Sequence, residues 1–146
     1  MTQRYDAPGW GARVFNAAIR RLAEAGVSIQ GSTVLRVRGR VSGRSQAVVV
    51  NLLTADGRAY LVSPRGNTQW ARNVRAAGEV ELGPPRRPTR HTVVEIDDEA
   101  KPELLSRYLR RWYWQVKTHI GGLTPASGPA ELERVAPSIP VFELLD

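Results

Sequence analysis

Arg38, Arg40 and Arg44 surround Ser42 and Gly43 in the stretch RGRVSGRS. Glycine lets backbone turn and approach a ligand closely, the Ser hydroxyl and exposed amides can donate, and guanidinium supplies counter-charge. Such a turn suits an anion. A second set lies in SPRGNTQWARNVRAAG, residues 63–78, where Arg65 and Gly66 precede Thr68, Trp70, Arg72, Asn73 and Arg75. Thr68 is placed to cap a helix, whose start adds its dipole and free amides to the guanidinium. Both sets have plainer readings: a hairpin turn with solvated arginines, and a helix with Trp70 in the core and Arg72 and Arg75 on the wet face. At the ends of neighbouring strands, the two sets are expected to face each other across one groove.

Tyr108, Trp112, Tyr113 and Trp114 interleave with Arg110 and Arg111 and could stack on bases or wall a flat ligand. Tyr108 and Trp112 read more simply as core. His91 and His119 are the only imidazoles and lack carboxylates at metal-motif spacing. His91, within a strand, reads as structural. No cysteine is present, which excludes disulfides, thiolate ligands and a cysteine nucleophile. Without a Ser-His-Asp set, a phosphate-binding Walker loop or paired carboxylates, any chemistry belongs to a borrowed cofactor.

The elements that must position these residues follow from periodicity. Val14, Phe15, Ala18, Ile19, Leu22 and Ala23 recur at helical spacing within residues 10–25, with Arg13, Arg20 and Arg21 off the stripe. TVLRVRG alternates as a half-buried strand, and QAVVVNLLT reads as a strand buried on both faces. ADG at 55–57 is a hairpin signal leading to RAYLVS. TQWARNVRAA is a short helix ended by Gly78, EVEL and TRHTVVEI are two further strands, and IPVFELL is the last. DDEAKPELLSRYLRRWYWQVK begins with acidic residues and Pro102 and carries Leu104, Tyr108, Trp112 and Val116 four apart, predicting a long helix. GGLTPASGPAEL reads as a loop and a short helical turn. The expected fold is α+β, an antiparallel sheet or barrel of about six strands with an N-terminal amphipathic helix and two further helices.

The 146 residues fit a single domain, 1–146, with residues 1–9 loosely ordered. The formal net charge of +7 is carried almost wholly by Arg and favours an acidic ligand: nucleic acid, anionic lipid or an anionic cofactor. With no apolar run near the roughly 18 residues that span a bilayer and no signal-peptide core, a cytoplasmic location is expected. The N-terminal stripe packs on the barrel by default, and peripheral contact with an anionic membrane is its alternative.

GRVSGR after a strand, GRAYLVSPRGNTQWARNVRAAG beyond it and IPVFEL at the end resemble the deazaflavin-dependent nitroreductases and quinone reductases of actinobacteria, within the flavin/deazaflavin oxidoreductases of split β-barrel fold. The likeness covers roughly residues 30–146 and is most specific over 57–78. It implies coenzyme F420, an 8-hydroxy-5-deazaflavin with a phosphate and a polyglutamate tail; related members use FMN, the second candidate. By position, Arg40, Ser42 and Gly43 match the turn that holds the phosphate region, with Val41 where a second basic residue is usual and Arg44 beside it. Arg65 and Gly66 match a basic residue and glycine after the third strand, and Trp70 and Asn73 match a pair on the next helix. Backbone of Val49, Val50 and Asn51 is implied to lie along the deazaflavin ring. The resemblance implies hydride transfer to a small-molecule acceptor, a quinone, an enone or a nitro compound, with no protein nucleophile. The readings set against it are a non-catalytic carrier of the cofactor or a fatty-acid-like ligand on the same barrel, and nucleic-acid binding, for which no recognised motif is present. Oligomeric state does not follow from the resemblance.

Overall fold

The computed structural model describes residues 32–84 and 86–145. The N-terminal amphipathic helix and the loose residues 1–9 lie outside them. The order is β1 (Ser32–Arg38), β2 (Ser45–Ala55), β3 (Arg58–Val62), α1 (Gln69–Ala77), β4 (Glu79–Leu82), β5 (Thr89–Glu95), α2 (Lys101–Val116), α3 (Pro129–Val135) and β6 (Val141–Leu144). The strands close into an antiparallel barrel in the order β1-β2-β3-β6-β5-β4. The six expected strands are all present, and closure leaves no free sheet edge.

Alternation divides the core in two. Leu35, Val37, Val50, Leu52, Leu61, Leu82, Phe142 and Leu144 point into the barrel, where Ala71 and Val74 of α1 join them. Leu53, Tyr60, Val62 and Val141 point outward and are covered by Leu105, Tyr108, Leu109 and Trp112 of α2 and by Leu132 and Val135 of α3. Trp112 Nε1 donates to Leu52 O at 3.0 Å, tying that helix to the barrel wall. Tyr108 and Trp112 are therefore core residues.

One expectation about β2 needs correction. Burial on both faces starts only at Leu52 and Leu53; Ser45, Gln46 and Ala47 are exposed, and Val49 retains 68% of its surface. The two-sided core requires the helices outside, and their cover ends short of the start of β2.

The β2–β3 connection turns at Asp56 (φ 51°) and Gly57 (φ 79°), the paired left-handed geometry of a tight hairpin. Thr68 caps α1 by accepting from Ala71 N at 3.3 Å, and Gly78, at φ 73°, closes it by donating to Val74 O at 2.9 Å.

Candidate functional site

The β1–β2 turn is closed by its own backbone: Gly39 N donates to Arg44 O at 2.8 Å and Gly43 N to Gly39 O at 2.9 Å. Ser42 Oγ accepts from Arg44 N at 3.1 Å, which leaves its own hydroxyl proton to donate outward. Gly43 has φ 75° with open space where a Cβ would stand, so backbone can approach a ligand there. Arg40 is anchored to α1, its backbone N reaching Asn73 Oδ1 at 3.1 Å and its Nη1 the same oxygen at 2.8 Å. Asn73 is buried. Its oxygen is committed to the turn, so it holds Arg40 in place across the gap between strand and helix.

This turn forms one wall of a cleft of about 820 Å³, lined also by Arg36, Arg38, Ala76, Ala77, Glu79 and Arg90. Four guanidinium groups against two carboxylates leave it net cationic; Arg90 is paired with Glu81 at 3.1 Å. Val41, 90% exposed, lies in the same lining. Sequence reasoning did not single out Arg36, Arg90, Ala76 or Ala77. The small pair at the end of α1 was the available signal, because only short side chains leave room between a helix end and a turn.

Arg65 is elsewhere. With Gly66, Asn67, His119, Gly121 and Ser138 it lines a second cleft of about 480 Å³, and its Nη2 lies 3.0 Å from His119 Nε2. With guanidinium the donor, that imidazole accepts at Nε2 and carries its proton on Nδ1. The expectation that Arg65 and the β1–β2 turn face one groove is therefore not met. The turn's cleft is lined at α1 by Ala76 and Ala77, near the helix C-terminus, whereas Arg65 precedes the Thr68 cap and lines the other cleft. Loop amides also point inward: Gly66 N donates to Ser63 O at 3.0 Å, and the buried Ser63 Oγ bonds Gly66 O at 2.6 Å and Thr68 Oγ1 at 2.9 Å.

Trp70 is half-buried against the barrel-interior cluster. Arg72 is exposed, but Arg75 is not the wet-face residue that its spacing suggested. Its Nε and Nη2 reach Glu95 Oε1 and Oε2, both at 2.7 Å, and its Nη1 reaches Asn67 Oδ1 at 3.0 Å, with the pair enclosed between α1 and β5. His91 is buried and structural, with Nδ1 3.0 Å from Leu145 O and Nε2 2.9 Å from Thr89 Oγ1.

Asn51, near the middle of β2, is held from two directions. Ser32 Oγ donates to its Oδ1 at 2.9 Å, and its Nδ2 donates to Gln115 Oε1 at 2.7 Å. Burial pushes the Tyr108 hydroxyl up to about 12, so it stays protonated near neutrality. With the side chain fixed, what residues 49–51 offer a flat ligand is backbone and the exposed Val49 surface.

A model of the F420H(2)-dependent quinone reductase family matches residues 11–119. The chain belongs to that family. Its members are oxidoreductases that use coenzyme F420. No curated protein matches the chain. Among solved structures, this reductase-family chain is similar to an F420-H2 dependent reductase, FDR-A (TM-score 0.50, 18% identity, 78% of this chain and 93% of that one). It is also similar to a nimc/nima family protein of Clostridium acetobutylicum (TM-score 0.52, 15% identity, 92% and 80%) and to the protein Atu2129 of Agrobacterium tumefaciens (TM-score 0.53, 17% identity). The last match covers 86% of this chain and 53% of the Agrobacterium protein, so the reductase-family chain spans about half that protein's length. At these identities the structural likeness shows the split-barrel fold. Among the described residues, no helix is long and apolar enough to cross a membrane.

Proposed function

We propose that the chain is an F420-dependent reductase in which the cationic cleft at the β1–β2 turn takes the phosphate end of the coenzyme. The observation that carries this reading is the Arg40–Asn73 pair: a buried amide oxygen fixes an exposed guanidinium beside Ser42 and the open backbone of Gly43. That donor set fits an anionic group, since guanidinium, a free hydroxyl proton and unobstructed backbone converge on one cleft. Arg44, three residues on in the same turn, is the further basic side chain proposed to offset Val41 at the position where the resemblance implies a basic residue. Backbone of Val49, Val50 and Asn51 supplies the platform for the ring, and Ser32 and Gln115 keep that platform rigid. Arg65 and Gly66, in the second cleft, and Trp70, on the turn-facing helix, are the remaining contacts proposed for the coenzyme.

Reduced F420, when bound, supplies a hydride. The chain's residues bind the phosphate, orient the ring and hold an electrophilic acceptor, a quinone, an enone or a nitro compound, at contact distance, where orientation does most of the catalytic work. No side chain acts as a nucleophile.

The test is oxidation of reduced F420 by the purified chain against a panel of quinones, enones and nitro compounds. Turnover with one class names the acceptor, and Arg40→Ala is expected to weaken coenzyme binding by about 1–3 kcal/mol, the cost of a lost charged hydrogen bond. Absence of turnover with every acceptor while the coenzyme binds would make the chain a carrier.

A further inference from the structure

The second cleft, of about 480 Å³, brings together two side chains that lie 54 residues apart in the chain. Arg65 comes from the loop after β3 and His119 from the turn after α2, with the guanidinium Nη2 standing 3.0 Å from the imidazole Nε2. Both backbones are held. Asn67, two residues beyond Arg65, accepts from Arg72 Nε at its carbonyl (3.1 Å) and from Arg75 Nη1 at its side chain (3.0 Å). On the other wall His119 N donates to Val116 O at 2.7 Å, and a Cβ on Gly121 would stand 2.7 Å from Val135 Cγ1, so this turn lies hard against α3. Gly66 brings the loop close to the far wall, since a Cβ there would stand 3.3 Å from Ser138 O.

Among the described residues, the lining holds no carboxylate, and Arg65 and His119 are its titratable groups. Ser138 and Ile139, from the segment after α3, carry no charge. The charged residues of the neighbouring elements, Arg72 of α1, Lys117 and Glu131, Glu133 and Arg134 of α3, are exposed and lie outside the lining. Three further donors of the lining are engaged: Gly66 N with Ser63 O at 3.0 Å, Ile139 N with Ala136 O at 3.0 Å and Ser138 Oγ with Val135 O at 2.7 Å. A guanidinium has no acceptor, so the pair as it stands requires His119 to accept at Nε2. Protonation changes both members at once. Nε2 becomes a donor, the bond to Arg65 breaks, and two cations face one space free of carboxylates. Such a pair repels when empty and is stabilised by an oxyanion placed between its members.

We propose that the second cleft is a proton-coupled oxyanion site, in which a carboxylate or similar anionic group binds between Arg65 and His119 and the imidazole takes up a proton as it does so. Histidine is the side chain suited to this, because its charge changes between about pH 5 and 8. By linkage, an anion that prefers the protonated imidazole raises the pH at which His119 titrates. The gain in binding is full below the midpoint of the empty cleft and is lost as pH rises through the midpoint of the occupied one. The inference rests on the reading of Arg65 as an anion contact and deepens it, making acidity the control on how firmly this cleft grips the glutamate tail of the coenzyme or a separate acidic ligand.

With two histidines in the sequence, the site is readable by NMR titration of the imidazole signals in the full chain. His119→Gln, which keeps an acceptor for Arg65 and cannot gain a proton, assigns the signals, and the buried His91 is the internal reference. Sulfate and triglutamate serve as probes because their charges hardly change above about pH 5. Each probe is expected to move the His119 midpoint upward and to bind severalfold more tightly at about pH 5.5 than at about pH 7.5. His119→Gln should bind equally at both, and Arg65→Ala should abolish the midpoint shift. A His119 midpoint unmoved by either probe, or a pH dependence undiminished in His119→Gln, would overturn the proposal. F420 and its phosphate-free deazaflavin core, added in turn, identify the source of the anion. A shift with F420 and not with the core assigns the cleft to the acidic tail of the coenzyme, whereas a shift with the probes and not with F420 assigns it to a separate acidic ligand. Turnover enters none of these readouts, so failure here leaves the reductase reading standing, and failure of that reading leaves the probe titrations standing.

Discussion

At the scale of single residues, Asn73 shows how a buried side chain can hold a turn in place. Its oxygen accepts twice from Arg40, at 3.1 and 2.8 Å, so Asn73→Ala frees the turn and removes one neutral and one charge-assisted hydrogen bond, both part-buried. The expected loss is about 1–3 kcal/mol in denaturant unfolding, together with weaker F420 binding although every guanidinium remains. A folded variant with unchanged affinity would show that Asn73 does not position Arg40. Glu143 poses a different problem. It faces Tyr60 across the β3–β6 ladder, is buried, and among the described residues has Arg58 Nε, at 3.9 Å, as its counter-charge, so burial raises its carboxyl above the usual range. A carboxyl with a raised folded-state pKa contributes stability that is full below its unfolded value and is lost as pH rises through the folded one. The stability of Glu143→Gln minus that of wild type should therefore grow from about pH 4, the usual Glu range, toward neutrality. A flat difference would contradict this.

At the scale of elements, α1 is the hinge between the fold and the site. Its length, its Thr68 cap and its Gly78 terminator were legible because capping chemistry is local and depends on residue type at fixed offsets. The role of Arg75 was not. Helical periodicity puts it among polar positions, and nothing local says that Glu95, far along the chain on β5, is buried opposite it. Arg75→Ala should cost about 3–5 kcal/mol, because it strands a buried carboxylate, and adding Glu95→Leu should recover part of that loss in the same unfolding measurement. Additive losses from the two changes would mean that the pair is not coupled. Strand β2 teaches the same limit. Its β-branched run predicted a strand correctly, yet whether its outer face meets a helix depends on where α2 ends in space.

At the scale of the whole molecule, six strands read from alternation close into a barrel whose interior takes one helix and whose outer face takes two. Closure brings turn residues 39–44 against α1, a juxtaposition that residue types hinted at and strand order alone could not supply. It also leaves Arg65 and that turn lining two different clefts, where neighbouring strand ends were expected to share one. The central claim is that the cleft at Arg40, Ser42 and Gly43 holds the phosphate end of F420. Its most direct test is a fluorescence titration of wild type and Arg40→Ala with F420 and with its phosphate-free deazaflavin core, with FMN in parallel. The account predicts that wild type binds F420 more tightly than either the core or FMN, and that Arg40→Ala weakens F420 while leaving the core unchanged. Equal weakening of F420 and core, or a preference for FMN, would contradict it.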